Sequence, residues 1–291
     1  MAFPKTGVVP APKIVPSAFG LLVVAKPENS VDEDMWTRGF SQEWETELSA
    51  GTNWDDTDTT DDAIFTEASP TRHTFIKPFF IEATEDISTL GFRGLDRIGR
   101  ISRQLEGITQ KAMEQELWSG VIRRTETHEN LSLNDASATL VNGTTALTAR
   151  RALATLEQLI AETSPAGEQG IIHMTRDMAA LLSSSSQMLF HNKEIDHLQT
   201  MGGTPVIIGS GYSGAGPVGV TGETASLTNK WMYATGTVKT YLGKVDVVND
   251  NLAQAYDVSG NQNDMKLKAI RPAAVYFDTS IHLAVRVDLT T

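Results

Sequence analysis

The residues best spaced for chemistry are Gly209-Ser210-Gly211-Tyr212-Ser213-Gly214, a GxGxxG run that directly follows an apolar stretch. Such a turn lets backbone approach a pyrophosphate and aims a helix N-terminus at it. The surroundings do not complete that site. Ala215-Gly216-Pro217-Val218-Gly219 cannot open the required helix, and Lys230 and Trp231 stand about twenty residues on, where a ribose-binding acid belongs. The run therefore reads as a flexible loop. Asp56, Asp58 and Thr60, with Glu67 at the twelfth place, imitate a calcium loop, but Asp61 occupies the sixth place, where glycine makes the turn. A solvated acidic loop is the expectation, with weak cation binding by Asp56, Asp58 and Glu67 as its alternative. His73, His128, His173, His191, His197 and His282 include no HExxH pair and no compact cluster with carboxylates, so each reads as structural or exposed. There is no GxSxG elbow. With no cysteine, disulfides, thiol catalysis and cysteine metal sites are excluded. No catalytic residue, metal or cofactor is expected, and the chain does not read as an enzyme.

The elements that carry these residues are organised around one rod. Leu95, Ile98, Ile101, Leu105, Ile108 and Ala112 recur at steps of three and four, which predicts a helix over residues 95–118. At 1.5 Å per residue it is about 36 Å long, and its narrow stripe lays it across something rather than inside it. Gly120 is placed to stop it. A second helix is expected over residues 146–162, capped by Thr144 or Thr145, with Ala149, Leu153, Leu156 and Ile160 on one face. Thr175 should cap a third through residue 182. Residues 21–25, 170–174 and 204–208 read as short strands, and residues 231–242, 245–248, 265–277 and 281–289 as the β-rich C-terminal third. In the last of these Ile281, Leu283, Val285, Val287 and Leu289 alternate with His282, Ala284, Arg286 and Asp288, which predicts one buried and one wet face. Helices early and long antiparallel strands late make the class α+β.

Charge is concentrated. Residues 28–70 hold thirteen acids against one base, Arg38, and so account for the net charge of −12. Such a tract repels phosphate, and like charges within a Debye length of about 8 Å are unfavourable, so any nucleic acid the protein meets must be met by another face. Trp36, Phe40 and Trp44 set the tract apart from a disordered tail, where aromatics are scarce. The prolines at 4, 10, 12 and 16 make residues 1–20 an extended arm. Residues 19–25 are apolar, but seven residues cannot span a bilayer that needs about 20, and Lys26-Pro27 replaces the small residues of a signal cleavage site. No membrane partner is expected.

Five blocks carry a resemblance: Met35-Trp36-Thr37-Arg38-Gly39-Phe40 with Trp44-Glu45 after it; Met113-Glu114-Gln115-Glu116-Leu117-Trp118-Ser119-Gly120 at the rod's end; Gly170-Ile171-Ile172-His173-Met174-Thr175; Gly202-Gly203-Thr204-Pro205-Val206-Ile207-Ile208; and Trp231-Met232-Tyr233-Ala234-Thr235-Gly236 before a long strand. In their order and spacing they resemble the major capsid proteins of tailed double-stranded DNA bacteriophages, particularly those of actinobacterial hosts, which share the Hong Kong 97-type capsid fold. That resemblance implies an N-terminal arm and extended loop in residues 1–83, the first part of a peripheral domain with its long spine helix in 84–145, an axial domain in 146–227, and strands returning to the peripheral domain in 228–291. It implies self-assembly into hexamers and pentamers of an icosahedral virion shell, built in the host cytoplasm around double-stranded DNA, with a portal and a separate scaffolding protein as further partners. An encapsulin-like compartment shares the fold and is the alternative; a carbohydrate- or nucleotide-processing enzyme is the reading from another class.

The rod's charge order runs against its dipole. Arg93, Arg97, Arg100 and Arg103 crowd the first half and Glu106, Glu114 and Glu116 the second, although acids favour the N-terminus and bases the C-terminus by about 0.3 to 1 kcal/mol each. These groups are therefore expected to answer to something outside the helix. Trp36, Phe40, Trp44, Arg93, Arg97, Arg100, Arg103, Glu106 and Glu114 are the candidate inter-subunit contacts.

Overall fold

The computed structural model describes residues 17–28, 33–44, 72–88, 97–120, 130–164, 169–186, 189–192, 197–249 and 264–290. In chain order these form α1 (Leu21–Val24), α2 (Glu33–Arg38), β1 (Phe40–Trp44), β2 (Arg72–Ile76), β3 (Phe79–Ser88) and the rod α3 (Arg97–Ser119). There follow β4 (Thr139–Thr144), β5 (Leu147–Thr148), α4 (Ala149–Thr163), β6 (Ile171–Thr175), α5 (Arg176–Ser186), β7 (Phe190–Asn192), β8 (His197–Gln199) and β9 (Pro205–Gly209). The chain closes with β10 (Asn229–Thr235), β11 (Val238–Leu242), β12 (Asp246–Asn249), β13 (Asp264–Phe277) and β14 (His282–Asp288). Helix and strand mix as α+β, as expected.

Two larger sheets share one core. An eight-stranded sheet runs β4-β14-β10-β6-β9-β8-β7, with β5 also beside β14. A four-stranded sheet is built on β13, which pairs with β3 over ten residues and with β11 and β12 along its other edge. The boundary expected at residue 228 does not separate these sheets. β10 and β14 join β6 and β9, whereas β11, β12 and β13 join β3, so the C-terminal strands divide between both. A small β1-β2 ribbon, pairing Phe40 with Ile76 and Trp44 with Arg72, lies outside them.

Strand period explains the core. Along β10, Trp231 and Tyr233 point to the α3 side while Met232 and Ala234 point to the α4 and α5 side. β6 and β9 divide in the same way, Ile171 and Ile207 against Ile172 and Val206. A strand buried on both faces needs apolar or satisfied residues at every position. This overturns the first half of the wet face expected for β14: Leu283, Val285 and Val287 face α4, while Ala284 is buried on the α3 side and His282 is covered there too, bonded to the Leu133 carbonyl at 3.0 Å, and only Arg286 and Asp288 stay partly exposed. Alternation was right; the polarity of the second face was misread, because alanine and a single bonded histidine look wet in sequence.

Three local expectations are also corrected. Residues 21–25 form a helical turn, not a strand, because Gly20 and Leu21 carbonyls accept the Val24 and Ala25 amides. α4 starts three residues later than expected, its cap being Thr148, whose hydroxyl accepts the Arg151 amide at 3.4 Å. On α3 the stripe is rotated. Ile101, Leu105, Thr109, Met113 and Leu117 are buried, but Ile98 and Ile108 are 56% and 42% exposed. Gly120 ends the rod as expected, at φ +60° with its amide on the Glu116 carbonyl.

Candidate functional site

The rod's inner face is where the chain's separate parts meet. Ile101, Leu105, Met113 and Leu117 each contribute about 1.5 to 3 kcal/mol by leaving water, and they do so against Phe79, Ile81 and Ala83 of β3 and Leu267, Ala269 and Ala273 of β13. At the rod's far end Trp118 meets Tyr212 at 4.7 Å between ring centroids and Tyr233 edge-on at 5.0 Å.

Within that face lies a buried acid. The Glu114 side chain is fully enclosed, and both of its oxygens are used. Oε1 accepts from Gln110 Nε2 at 2.8 Å and from the Leu21 amide at 3.2 Å. Oε2 accepts from the amides of Ser210 and Gly211 at 2.6 and 2.8 Å and from the Ser210 hydroxyl at 2.9 Å. One carboxylate thus ties α1 and the glycine-rich segment to the rod. Gln110 extends the tie by accepting the Ser17 amide at 2.9 Å. The GxGxxG run is consequently packed, not flexible. A Cβ on Gly211 would stand 2.4 Å from the Lys111 carbonyl oxygen, so only glycine lets the loop reach this carboxylate. The glycines do serve close backbone approach to an anion, but the anion is the chain's own Glu114.

Next to this joint His173 is wholly buried between Tyr212 and Thr235, at 2.9 Å from each. Thr235 gives its hydroxyl proton to the Gly236 carbonyl, so it accepts from Nε2–H and the neutral ring accepts at Nδ1 from the Tyr212 phenol. Burial, aided by nearby His282, lowers the His173 pKa to about 3. Burial, with Glu114 nearby, raises that of Tyr212 and keeps it a donor. This is a structural histidine.

The candidate contact residues fall out as follows. Glu114 belongs to the interior of this chain, so it is not available as an inter-subunit contact. Arg100 reaches Glu85 of β3 at 3.3 Å, and Glu106 faces Arg271 of β13, so two members of the reversed charge order find partners on their own sheet. Phe40 is buried on Tyr241, stacked at 4.9 Å, with Trp36 edge-on at 5.2 Å beyond it. Those two aromatics are thus used in packing α2 and the β1-β2 ribbon onto the chain's own β11 and β13. Arg103 is half-buried, Arg97 opens α3, and Trp44 ends β1. Arg93, Asp56, Asp58 and Glu67 lie outside the described residues. Reasoning from sequence missed Gln110 and Arg271. Gln110 was visible one turn before Met113 and Glu114 on the buried face; Arg271 depended on strand register. Among the described residues no group of histidines and acids could hold a metal ion, and no helix is long and apolar enough to cross a membrane.

No protein-family model matches the sequence, and no curated protein matches it. Solved structures do. The capsid of an empty GTA particle is similar over 99% of this chain and 94% of its own, at 10% identity and a TM-score of 0.58; the capsid of the native GTA particle gives 0.57 at 11% identity. A chain of Microbacterium phage Oxtober96 covers 99% and 96% at 10% identity and 0.52. The chain has the Hong Kong 97-type capsid fold. Within that fold, α3 on the long antiparallel pair β3 and β13 is the long helix and strand set that the resemblance implied. The SrpI encapsulin complex of Synechococcus elongatus PCC 7942 is similar over 99% and 93%, at 14% identity and 0.52.

Proposed function

We propose that this chain is the major capsid protein of a tailed bacteriophage. It assembles as hexamers and pentamers into an icosahedral shell around double-stranded DNA, in the host cytoplasm, with a portal and a separate scaffolding protein as partners. The observation that carries the reading is full-length agreement with a capsid chain, 99% of one against 94% of the other, including the arm-side elements α1 to β2. A fold match confined to one sheet would say far less. The joint at Glu114 fits the role, since a subunit that transmits load between neighbours needs its helix, loop and arm fixed to one another. Contact with the genome is electrostatic and independent of sequence, and the net negative charge of residues 28–70 disfavours that contact there.

A shell that encloses protein cargo is the second reading, raised by the weaker match to an encapsulin. Electron microscopy of the purified particles, with extraction of their contents, separates the two. Shells containing double-stranded DNA support the proposal, shells containing an enzyme support the second reading, and absence of shells under all assembly conditions overturns both.

A further inference from the structure

β14 pairs with β4 at Thr139 and Leu140 and with β5 at Leu147 and Thr148. From Ala284 to Val287 it advances three residues while its neighbour advances seven, from Leu140 to Leu147, so the excess bulges out of the ladder at the edge of the eight-stranded sheet. The bulge holds a turn. The Asn142 carbonyl accepts the Thr145 amide at 3.3 Å, and the Asn142 side-chain amide donates to the Thr145 carbonyl at 3.2 Å. Gly143 stands at φ +55°, the left-handed region that favours glycine at the first central position of a turn. Residues 142–145 are all exposed, and a Cβ on Gly143 would meet nothing within 4 Å.

An asparagine is labile when the next main-chain nitrogen can reach its side-chain carbonyl carbon. Glycine in that next position has no Cβ to hinder the approach and turns most freely into it. Of the asparagines in the chain, Asn142 alone precedes glycine. Others are better protected: Asn130 precedes Leu131 and exchanges two hydrogen bonds with Lys77, while Asn134 precedes Asp135 and is buried. Both bonds that hold the Asn142 turn are long and lie at the surface, where water replaces them at little cost.

We propose that Asn142 is a site of spontaneous deamidation. Hydroxide removes the Gly143 amide proton, the nitrogen bonds to Cγ of Asn142, and Nδ2 takes a proton from solvent and leaves as ammonia. Water then opens the cyclic succinimide. Opening at Cγ gives aspartate; opening at the main-chain carbonyl gives isoaspartate, in which the chain runs on through Cβ and Cγ. The sum is asparagine and water to aspartate or isoaspartate and ammonia, with nothing oxidised or reduced. Either product adds a negative charge to the sheet edge and removes the donor that the Thr145 carbonyl now has. Isoaspartate also lengthens the link between β4 and β5. This chemistry stands whether or not the chain is a shell subunit.

The test incubates folded full-length protein in mildly alkaline buffer, digests it at mildly acidic pH, where the reaction is slow, and resolves the peptides by chromatography and mass spectrometry. The peptide containing Asn142 should convert before every other asparagine peptide, to both products, faster as pH rises. A matched sample in denaturant gives the rate in the free chain, and the folded rate should approach it. Gly143→Ala, which sets a methyl group beside the attacking nitrogen, should slow the conversion about tenfold or more. Because that methyl group strains a left-handed residue, Tm is recorded for it. If Gly143→Ala fails to fold, the wild-type comparison of folded and denatured samples decides. Asn142 left intact in the folded protein while the denatured chain reacts would overturn the proposal. So would faster conversion at another asparagine, or aspartate formed without isoaspartate, the mark of direct hydrolysis.

Discussion

Glu114 on α3 and Glu157 on α4 are both acids at the edge of an apolar helix face, and they end differently. Glu114 has both oxygens filled by five donors from α1, α3 and the glycine-rich segment. Glu157 has one oxygen filled by two threonines and one left open. Charge patterning along a helix does not distinguish them; the donors that the rest of the chain brings do. A completed carboxylate is a joint between distant segments of the chain; a half-completed one leaves an acceptor without a donor.

The comparison breaks first at Glu114. Glu114→Ala leaves buried amides of Ser210, Gly211 and Leu21 without acceptors, at about 1 to 3 kcal/mol for each unsatisfied group, and should cost the subunit roughly 3 to 5 kcal/mol in chemical denaturation. Gly211→Ala should be of similar size, because its methyl group would force the backbone away from Lys111 and lengthen the same bonds. A cost below about 1 kcal/mol for both would mean that the segment is held by something other than this carboxylate.

A pH titration sharpens the same region. The folded pKa of His173, about 3, lies below its unfolded value of 6.5, so the unfolded state binds the extra proton between those values. The histidine's contribution is complete above pH 6.5 and is lost as pH falls towards 3, with a slope of up to about 1.4 kcal/mol per pH unit. His282, whose pKa burial also lowers, adds in the same direction. His173→Gln should flatten the slope between pH 6.5 and 4 in denaturation curves; an unchanged slope would place the acid sensitivity elsewhere.

Smaller effects are expected where charge meets solvent. Arg100→Glu sets a second carboxylate against Glu85, but the arginine side chain is 56% exposed, so the subunit should lose less than about 1 kcal/mol. Glu157→Gln should change monomer stability by less than about 0.5 kcal/mol, measured by thermal denaturation, since its threonine bonds survive. A loss of several kcal/mol there would make Glu157 a second internal joint and erase the contrast with Glu114.

Much of this architecture was legible in the residues. The rod, its stop at Gly120, the strands β6, β9 and β13 and the failure of the GxGxxG run to open a helix all follow from local spacing and turn chemistry. What escaped depends on contacts between distant residues. The rod's stripe was read through Ile98 and Ile108, yet the face that counts carries Thr109, Gln110 and Glu114, polar groups acceptable inside only because other segments bond them. The glycine-rich loop read as flexible for the same reason: its anchor lies 96 residues upstream. The reversed charge order along the rod was noticed correctly, but its answers at Arg100 and Glu106 lie on β3 and β13 of the same chain, and only strand register could show that.

The central claim, that this chain is a shell subunit, is tested most directly by size-exclusion chromatography with small-angle scattering at micromolar concentration, with and without a scaffolding protein. The account predicts ring-sized oligomers and closed particles, with monomers a minor species. Compact monomers throughout, in every condition, would contradict it.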